Sequence, residues 1–216
     1  GYGRVGSLVV ESLQRLQQEL DLEFLKQDIP VLMKESREGI TRVKNIVQNL
    51  QEFARVDNAV DWHWKSMHHC LDNTLNVLRA ALPGEISIVR EYGELPEIEC
   101  LPAQLNQMLM NLLLNAAQAI EGQGSITLRS GQEGDSVWVE ISDTGRGISP
   151  ENLGRIFEPF FTTRPVGLGT GLGLVATFNT VTHHNGRIEA RSTPGQGTTF
   201  HISLPIRQRG VAKISE

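Results

Sequence analysis

No apolar run in this chain approaches the ~20 residues that a helix needs to cross a bilayer. The first residues show no succession of basic, apolar and small side chains, so no secretory signal is visible. The chain starts at Gly1 rather than Met, as a fragment would, and membrane contact is expected only through parts of a longer parent not present here. A basic excess is also missing. The net charge is −5 and is spread along the chain, which excludes general nucleic-acid binding through a basic face. Cysteine is scarce. Cys70 and Cys100 lack metal-ligand spacing and read as buried, reduced thiols of a cytoplasmic protein rather than a disulfide. There is no internal repeat and no low-complexity segment. No Gly-Lys-Ser/Thr follows the glycine-rich stretch, so a P-loop is excluded.

What is present suits a globular protein. Hydrophobic residues make up 39% of 216 positions. That length accommodates one domain of about 150 residues plus an extension.

Three stretches are expected: a helical region over residues 1–57, a mixed α and β domain over 58–207, and a loose polar tail over 208–216. In the first, Leu22, Leu25, Ile29, Leu32, Ile40, Val43, Val47, Leu50 and Phe53 recur at helical steps. Pro30 marks a kink or a first turn of that helix. An earlier helix over residues 7–20 carries Leu8, Leu13, Leu16 and Leu20. A two-helix hairpin buries little area alone, so pairing with a second copy into a four-helix bundle is expected, against the alternative of packing on its own domain.

Residues 58–65 read as a linker with a short strand near Trp62 and Trp64. Helices are predicted over 67–81, 103–121 and 171–184. Strands are predicted over 86–92, 125–130, 136–142, 186–192 and 198–204. Antiparallel neighbours with helices on one face give an α+β two-layer sandwich.

The stretch Ser142-Asp143-Thr144-Gly145-Arg146-Gly147-Ile148 closes the alternating strand Val137-Trp138-Val139-Glu140-Ile141. An aspartate leaves a strand and is followed by Gly-x-Gly, which can set one carboxylate at a pocket rim while bare backbone closes around a ligand. Asp-Thr-Gly also occurs in ordinary corners.

The helix over 103–121 carries Asn111, Asn115 and Gln118 at i, i+4 and i+7, on one face, while Leu109, Leu112, Leu113, Ala116 and Ile120 point elsewhere. Such amides can bond to loops, face water, or offer oxygens to a hydrated Mg²⁺ whose other ligands are phosphates. The segment Gly167-Leu168-Gly169-Thr170-Gly171-Leu172-Gly173 alternates glycines and runs into a helix, whose N-terminus favours phosphate. Between them lies Phe157-Glu158-Pro159-Phe160-Phe161, either core or the anchor of a mobile lid.

Taken in order, these segments resemble the catalytic ATP-binding domain of sensor histidine kinases, in the wider family that holds DNA gyrase B, Hsp90 and MutL. The resemblance runs from about residue 60 to 205. It covers an N box (111–119), a G1 box (143–147), an F box (157–161), a G2 box (167–173) and the closing Gly195-Gln196-Gly197-Thr198 segment. A weaker likeness places residues 34–56 in the second helix of a dimerisation and phosphotransfer hairpin.

The resemblance implies a Bergerat ATP-binding fold and a two-component kinase. Such a kinase moves the γ-phosphate of ATP to a histidine and on to a response-regulator aspartate. It implies that Asp143 accepts from the adenine amino group, supported by Thr198. Gly145 and Gly147 would admit backbone to the purine and ribose. Asn115 with Asn111 would hold Mg²⁺. Gly169, Thr170, Gly171, Leu172 and Gly173 would form the phosphate loop, with Leu172 and Leu174 as packing residues. Gln118 and Arg164 complete the expected ATP contacts.

Departures from the pattern are specific. Residues 1–20 hold no histidine, and none of His63, His68, His69, His183, His184 and His201 precedes an acid. The phosphoacceptor is therefore expected before Gly1, removed or replaced, and His68 and His69 read as surface residues. Gln118 stands where some relatives place Lys, a loss Arg164 could offset. Leu168 stands where polar residues are frequent. The alternative activity is a GHKL-type ATPase, for which the Glu base is missing because Asn111 occupies its place. A further alternative is a dimeric nucleotide-binding scaffold without kinase activity.

Overall fold

The computed structural model describes residues 9–10, 26, 28–37, 39–40, 62–79, 86–165 and 169–208. The chain separates into two compact units, residues 1–47 and 48–216, ten residues ahead of the expected boundary. In the first unit, the described residues are helical, and the helix over 28–37 runs through Pro30. The predicted helix over 7–20 and the distal half of its partner lie, but for Val9 and Val10, outside the described residues.

In the second unit the elements are β1 (His63–Lys65), α1 (Met67–Arg79), β2 (Ile86–Tyr92), β3 (Ile98–Cys100), α2 (Pro102–Ala119), β4 (Gly124–Glu133), β5 (Ser136–Asp143), α3 (Pro150–Leu153), α4 (Gly173–His183), β6 (Arg187–Thr193) and β7 (Gly197–Pro205). The main sheet has the order β2-β4-β5-β7-β6. The expectation of purely antiparallel neighbours fails at one edge, where β2 pairs with β4 in parallel, Ile86 opposite Gly124. The long connection through β3 and α2 makes that crossover possible. Strand β3, too short to show a period, and the four-residue α3 went unpredicted. The gap between the strands predicted over 125–130 and 136–142 shrinks to Gly134 and Asp135, because Gly131 to Glu133 stay paired with β5.

Strand periodicity places the core on one face. In β5, Val137, Val139, Ile141 and Asp143 are buried and alternate with half-buried neighbours. In β7 the inward set is Thr198, Phe200, Ile202 and Leu204. Against this face α2 packs Leu105, Met108, Leu109, Leu112, Leu113 and Ala116, and α1 adds Met67, Leu71, Leu75 and Leu78. Each fully buried Leu contributes roughly 1.5–3 kcal/mol. Asp143 is thus the last inward position of a strand whose previous inward residues are core. The period that buries Ile141 also turns the carboxylate beneath the helices.

Cys70 and Cys100 are both buried and unpaired. Burial pushes the Cys100 thiol up to about 12, with Cys70 nearby adding to the effect. Residues 206–208 are not loose. Ile206 N–H donates to the Asp135 carbonyl at 2.8 Å, and Gln208 N–H donates to Glu99 Oε2 at 3.0 Å. His68 is likewise no simple surface residue. It stacks on Tyr92 with ring centroids 4.4 Å apart and bonds Ser130 Oγ at 2.8 Å.

Candidate functional site

Asp143 is 7% exposed and sits where β5 ends. Its Oδ1 accepts two main-chain bonds, from Gly145 N–H at 2.8 Å and from Thr198 N–H at 3.3 Å. Burial raises its pKa, and those two N–H groups act in the opposite direction. The second oxygen, Oδ2, has no hydrogen bond among the described residues. Among the described residues no fully enclosed side-chain nitrogen or oxygen lacks a partner, so Oδ2 is not fully enclosed. A fixed carboxylate with one free acceptor oxygen is suited to a ligand N–H, such as the amino group of adenine.

Thr198 serves Asp143 through its backbone. Its hydroxyl is 2.9 Å from Ser192 Oγ. Ser192 was missed in the sequence. Its Oγ also accepts from Ile148 N–H at 2.7 Å and lies 2.9 Å from the Gly197 carbonyl. One hydroxyl therefore joins the turn after Asp143 to the β6–β7 corner. Only the pairing of Ser192 with Thr198 across β6 and β7 reveals it.

The glycines after Asp143 are needed first by the protein itself. A Cβ on Gly145 would strike the Ala119 carbonyl, and one on Gly147 the Thr193 carbonyl. Their nearest neighbours are thus backbone rather than an open ligand surface. The turn caps α2: Arg146 N–H donates to the Ala119 carbonyl at 2.9 Å, satisfying one of the acceptors a helix end leaves free. Gly197, in the closing Gly195-Gln196-Gly197-Thr198 segment, has φ +99, and a Cβ there would collide with the Asp143 carbonyl. The Gly-Gln-Gly-Thr corner carried that signal.

The amide face of α2 is as the spacing implied. Asn111 and Asn115 are half-buried and Gln118 is exposed. Asn111 Nδ2 donates to the Gly173 carbonyl at 3.1 Å, tying the N box to the start of α4. Its Oδ1 has one long partner, Gln107 Nε2 at 3.4 Å. Asn115 Oδ1 accepts from Arg164 Nη2 at 3.0 Å. Burial lowers the pKa of Arg164, and the charge of nearby Arg146 adds to this.

No cluster of three or more His, Cys, Asp or Glu that could hold a metal occurs among the described residues. The amide oxygens of Asn111 and Asn115 fit Mg²⁺ only where phosphates supply the negative charge.

The segment between Asp143 and α4 is held at several points. Phe160 N–H donates to the Gly171 carbonyl at 3.1 Å, and both residues have positive φ, 66° and 67°. A Cβ on Gly171 would meet the Phe160 backbone. Phe157 packs on Phe178 of α4 with centroids 5.5 Å apart, whereas Phe160 is 63% exposed. Leu172 is buried, as a packing residue should be, and its N–H reaches Thr170 Oγ1 at 3.4 Å. Helix α4 begins at Gly173, two residues later than predicted, because Gly171 departs from helical geometry. Gly167 and Leu168 lie outside the described residues.

The family model described as "Histidine kinase-, DNA gyrase B-, and HSP90-like ATPase" matches residues 100–208. The signal transduction histidine-protein kinase AtoS of Escherichia coli is 33% identical over 201 residues, covering 92% of this chain and 32% of AtoS. The sensor histidine kinase ZraS of E. coli is 44% identical over 112 residues, 52% of this chain and 24% of ZraS. The chain therefore spans about a third or less of these relatives. Among solved structures, the mycobacterial sensor histidine kinase MprB superposes with a TM-score of 0.61 at 27% identity, over 68% of this chain and 99% of that one. Full-length ShkA in complex with AMPPNP gives 0.67 at 26% identity, over 79% of this chain and 36% of that one.

Proposed function

This chain belongs to the histidine kinase-, DNA gyrase B-, and HSP90-like ATPase family, and from that premise we propose that it is the ATP-binding kinase core of a two-component sensor histidine kinase. The observation that carries this reading is the Asp143 carboxylate. One oxygen is spent on Gly145 and Thr198, and the other makes no hydrogen bond among the described residues. The relatives named as histidine kinases, and ShkA with its bound ATP mimic, support the same assignment.

In the proposed reaction this chain binds and orients. Asp143 accepts from the adenine amino group. The turn at Gly145 and Gly147 borders the purine and ribose. Gly169, Thr170, Gly171, Leu172 and Gly173, at the N-terminus of α4, face the phosphates. Asn115, with Asn111, would hold Mg²⁺, which supplies charge neutralisation at the phosphates when bound. Arg164 would leave Asn115 for a phosphate oxygen. A histidine outside the present residues attacks the γ-phosphate in line, so the contribution here is positioning and electrostatics. A response-regulator receiver domain would take the phosphoryl group next.

Kinase activity is favoured over ATP hydrolysis by Asn111. It stands where the hydrolytic relatives place a Glu base, and its amide is tied to the Gly173 carbonyl. A homodimer through the N-terminal helices is supported by Ile29, Val31, Leu32, Met33 and Ile40, all exposed apolar side chains on helical residues.

The test is Asp143→Asn. The amide can keep one oxygen on Gly145 N–H but presents an NH₂ to the purine amine. Affinity for an ATP analogue should fall by roughly 100-fold or more with the fold retained. Unchanged affinity in calorimetry would refute the pocket.

A further inference from the structure

We propose that His184 is a positioning residue for the phosphate loop: its buried ring sets where α4 lies along α2, and so where the start of α4 meets the triphosphate. Such a role presupposes the nucleotide pocket and extends it to the far end of α4, since His184 follows the last residue of that helix and Gly173 is the first.

Little apolar packing holds α4 in place. Of its 11 residues only Thr177 and Val181 are buried, and Phe178 is 44% exposed. Helix α2, in contrast, is built into the core through Leu105, Met108, Leu109, Leu112 and Leu113. A helix with so few buried side chains slides readily along its neighbour, so polar ties decide its axial position.

Those ties sit at its two ends, and both run to α2. At the start, Asn111 Nδ2 donates to the Gly173 carbonyl at 3.1 Å. Thr177 Oγ1 donates to the same carbonyl at 2.9 Å. At the far end, Leu101 N–H donates to His184 Nε2 at 3.0 Å, and His183 Nδ1 lies 3.1 Å from Gln104 Oε1. The His184 ring is itself fixed to α4. Its Nδ1 lies 2.7 Å from the Thr180 carbonyl, which also accepts His184 N–H at 3.1 Å. Trp62 closes the ring in from the entry segment, edge-on at 5.0 Å.

Neither helix has a side-chain cap at its start. For α2, the N–H of the capping residue Leu101 is satisfied by His184. For α4, no side chain takes the N–H groups of the first turn, which suits an anion. A helix of this length spans about 16 Å and moves as one body, so a shift allowed at His184 reaches Gly173. Hydrogen bonds to phosphate oxygens weaken steeply with misplacement. A purine held by Asp143 at the end of β5 makes no use of α4, so the effect is confined to the phosphates.

The experiment is calorimetric titration with adenosine and with AMPPNP, both in the presence of Mg²⁺. The proteins compared are wild type, His184→Gln, His184→Leu and Gln104→Ala. Glutamine can accept from Leu101 N–H and donate to the Thr180 carbonyl, so His184→Gln should keep AMPPNP affinity within about threefold of wild type. Leucine fills most of the space but accepts nothing. His184→Leu should weaken AMPPNP by about tenfold or more and adenosine by about twofold or less. Gln104→Ala removes the second tie at a half-buried site and should weaken AMPPNP by about threefold, again sparing adenosine. The ratio of the two affinities is the quantity to read, because partial unfolding lowers both by the same factor.

A wild-type ratio in His184→Leu would overturn the role, and so would equal losses in the glutamine and leucine variants. Should His184→Leu fail to fold, Gln104→Ala decides, and an unchanged ratio there overturns the role as well. Wild type binding adenosine as tightly as AMPPNP would leave α4 without a task at the phosphates while keeping the purine pocket. Wild type binding neither would sink both.

Discussion

The Leu101 N–H donates to His184 Nε2 at 3.0 Å, joining the residue before α2 to the residue after α4. His184 is 0% exposed, and its Nδ1 lies 2.7 Å from the Thr180 carbonyl. A carbonyl can only accept and an amide N–H can only donate, so the proton is on Nδ1 and the ring is neutral. Trp62 covers the ring edge-on at 5.0 Å between centroids. The start of the helix that carries Asn111 is thus fastened to the end of α4 remote from Gly173.

Burial lowers the His184 pKa below 6.5, and neighbouring His183 lowers it further, against the opposite effect of the Thr180 carbonyl. The unfolded chain therefore binds a proton that the folded chain refuses. Stability is fully present above pH ~6.5 and is lost as pH falls through the folded-state value. Thermal unfolding from pH 7.5 down to 5.5 should show a declining midpoint, and His184→Gln should flatten part of that slope. His68, also lowered by burial, contributes to the slope in the same direction. At neutral pH His184→Ala should cost roughly 2–4 kcal/mol, because it orphans the Leu101 N–H and opens a cavity. A slope identical in wild type and His184→Gln would show that the ring does not titrate on unfolding.

Gly197→Ala should be more damaging than any surface change. The new Cβ would overlap the Asp143 carbonyl at a φ of +99. Backbone strain of this kind costs about 1–3 kcal/mol before the collision is counted. Denaturant unfolding should show a loss above that range, together with weakened nucleotide binding because Asp143 is displaced. A variant as stable as the parent would mean that the corner relaxes freely.

Ser192→Ala removes a hydroxyl shared by Ile148 N–H, Thr198 and the Gly197 carbonyl. The loss should be roughly 1–3 kcal/mol in urea unfolding. Affinity for an ATP analogue should also fall, since Ile148 follows the G1 turn directly. Ser192→Thr should retain most of both. Equal stability of Ser192→Ala and wild type would contradict the bridge.

Phe160 carries a left-handed backbone, φ 66, with its ring largely in solvent. Phe160→Gly releases a strain of about 1–2 kcal/mol and adds a chain-entropy cost of about 0.5–1 kcal/mol. The unfolding midpoint should stay level or rise. A drop beyond that cost would reveal packing by the ring.

Much of this site was legible in the chain. Asp143 could be placed because its strand alternates strictly, so the position after Ile141 by two is inward whatever surrounds it. Asn111 and Asn115 share a face because the helix repeats every 3.6 residues. Ser192, Gly197 and Arg146 were harder. Each matters through contact with a residue many positions away, namely Ile148, Asp143 and Ala119 respectively. The parallel edge was misjudged for the same cause: β2 shows its own pattern but not the direction of its neighbour. Helix ends drifted by about two residues, since α2 ends without a glycine cap and is closed instead by Arg146 N–H.

The chain by itself determined which segments are helix or strand, which residues face inward, and that a carboxylate, an amide row and a glycine loop occur in that order. Those properties come from steric preference and periodicity, which act between near neighbours in sequence. The tertiary structure alone decided that Arg164 rests on Asn115, that Ser192 braces the turn after Asp143, and that His184 locks two helices together. Such bonds form only after distant strands pair and fix their register, and no local pattern encodes the register of a partner strand.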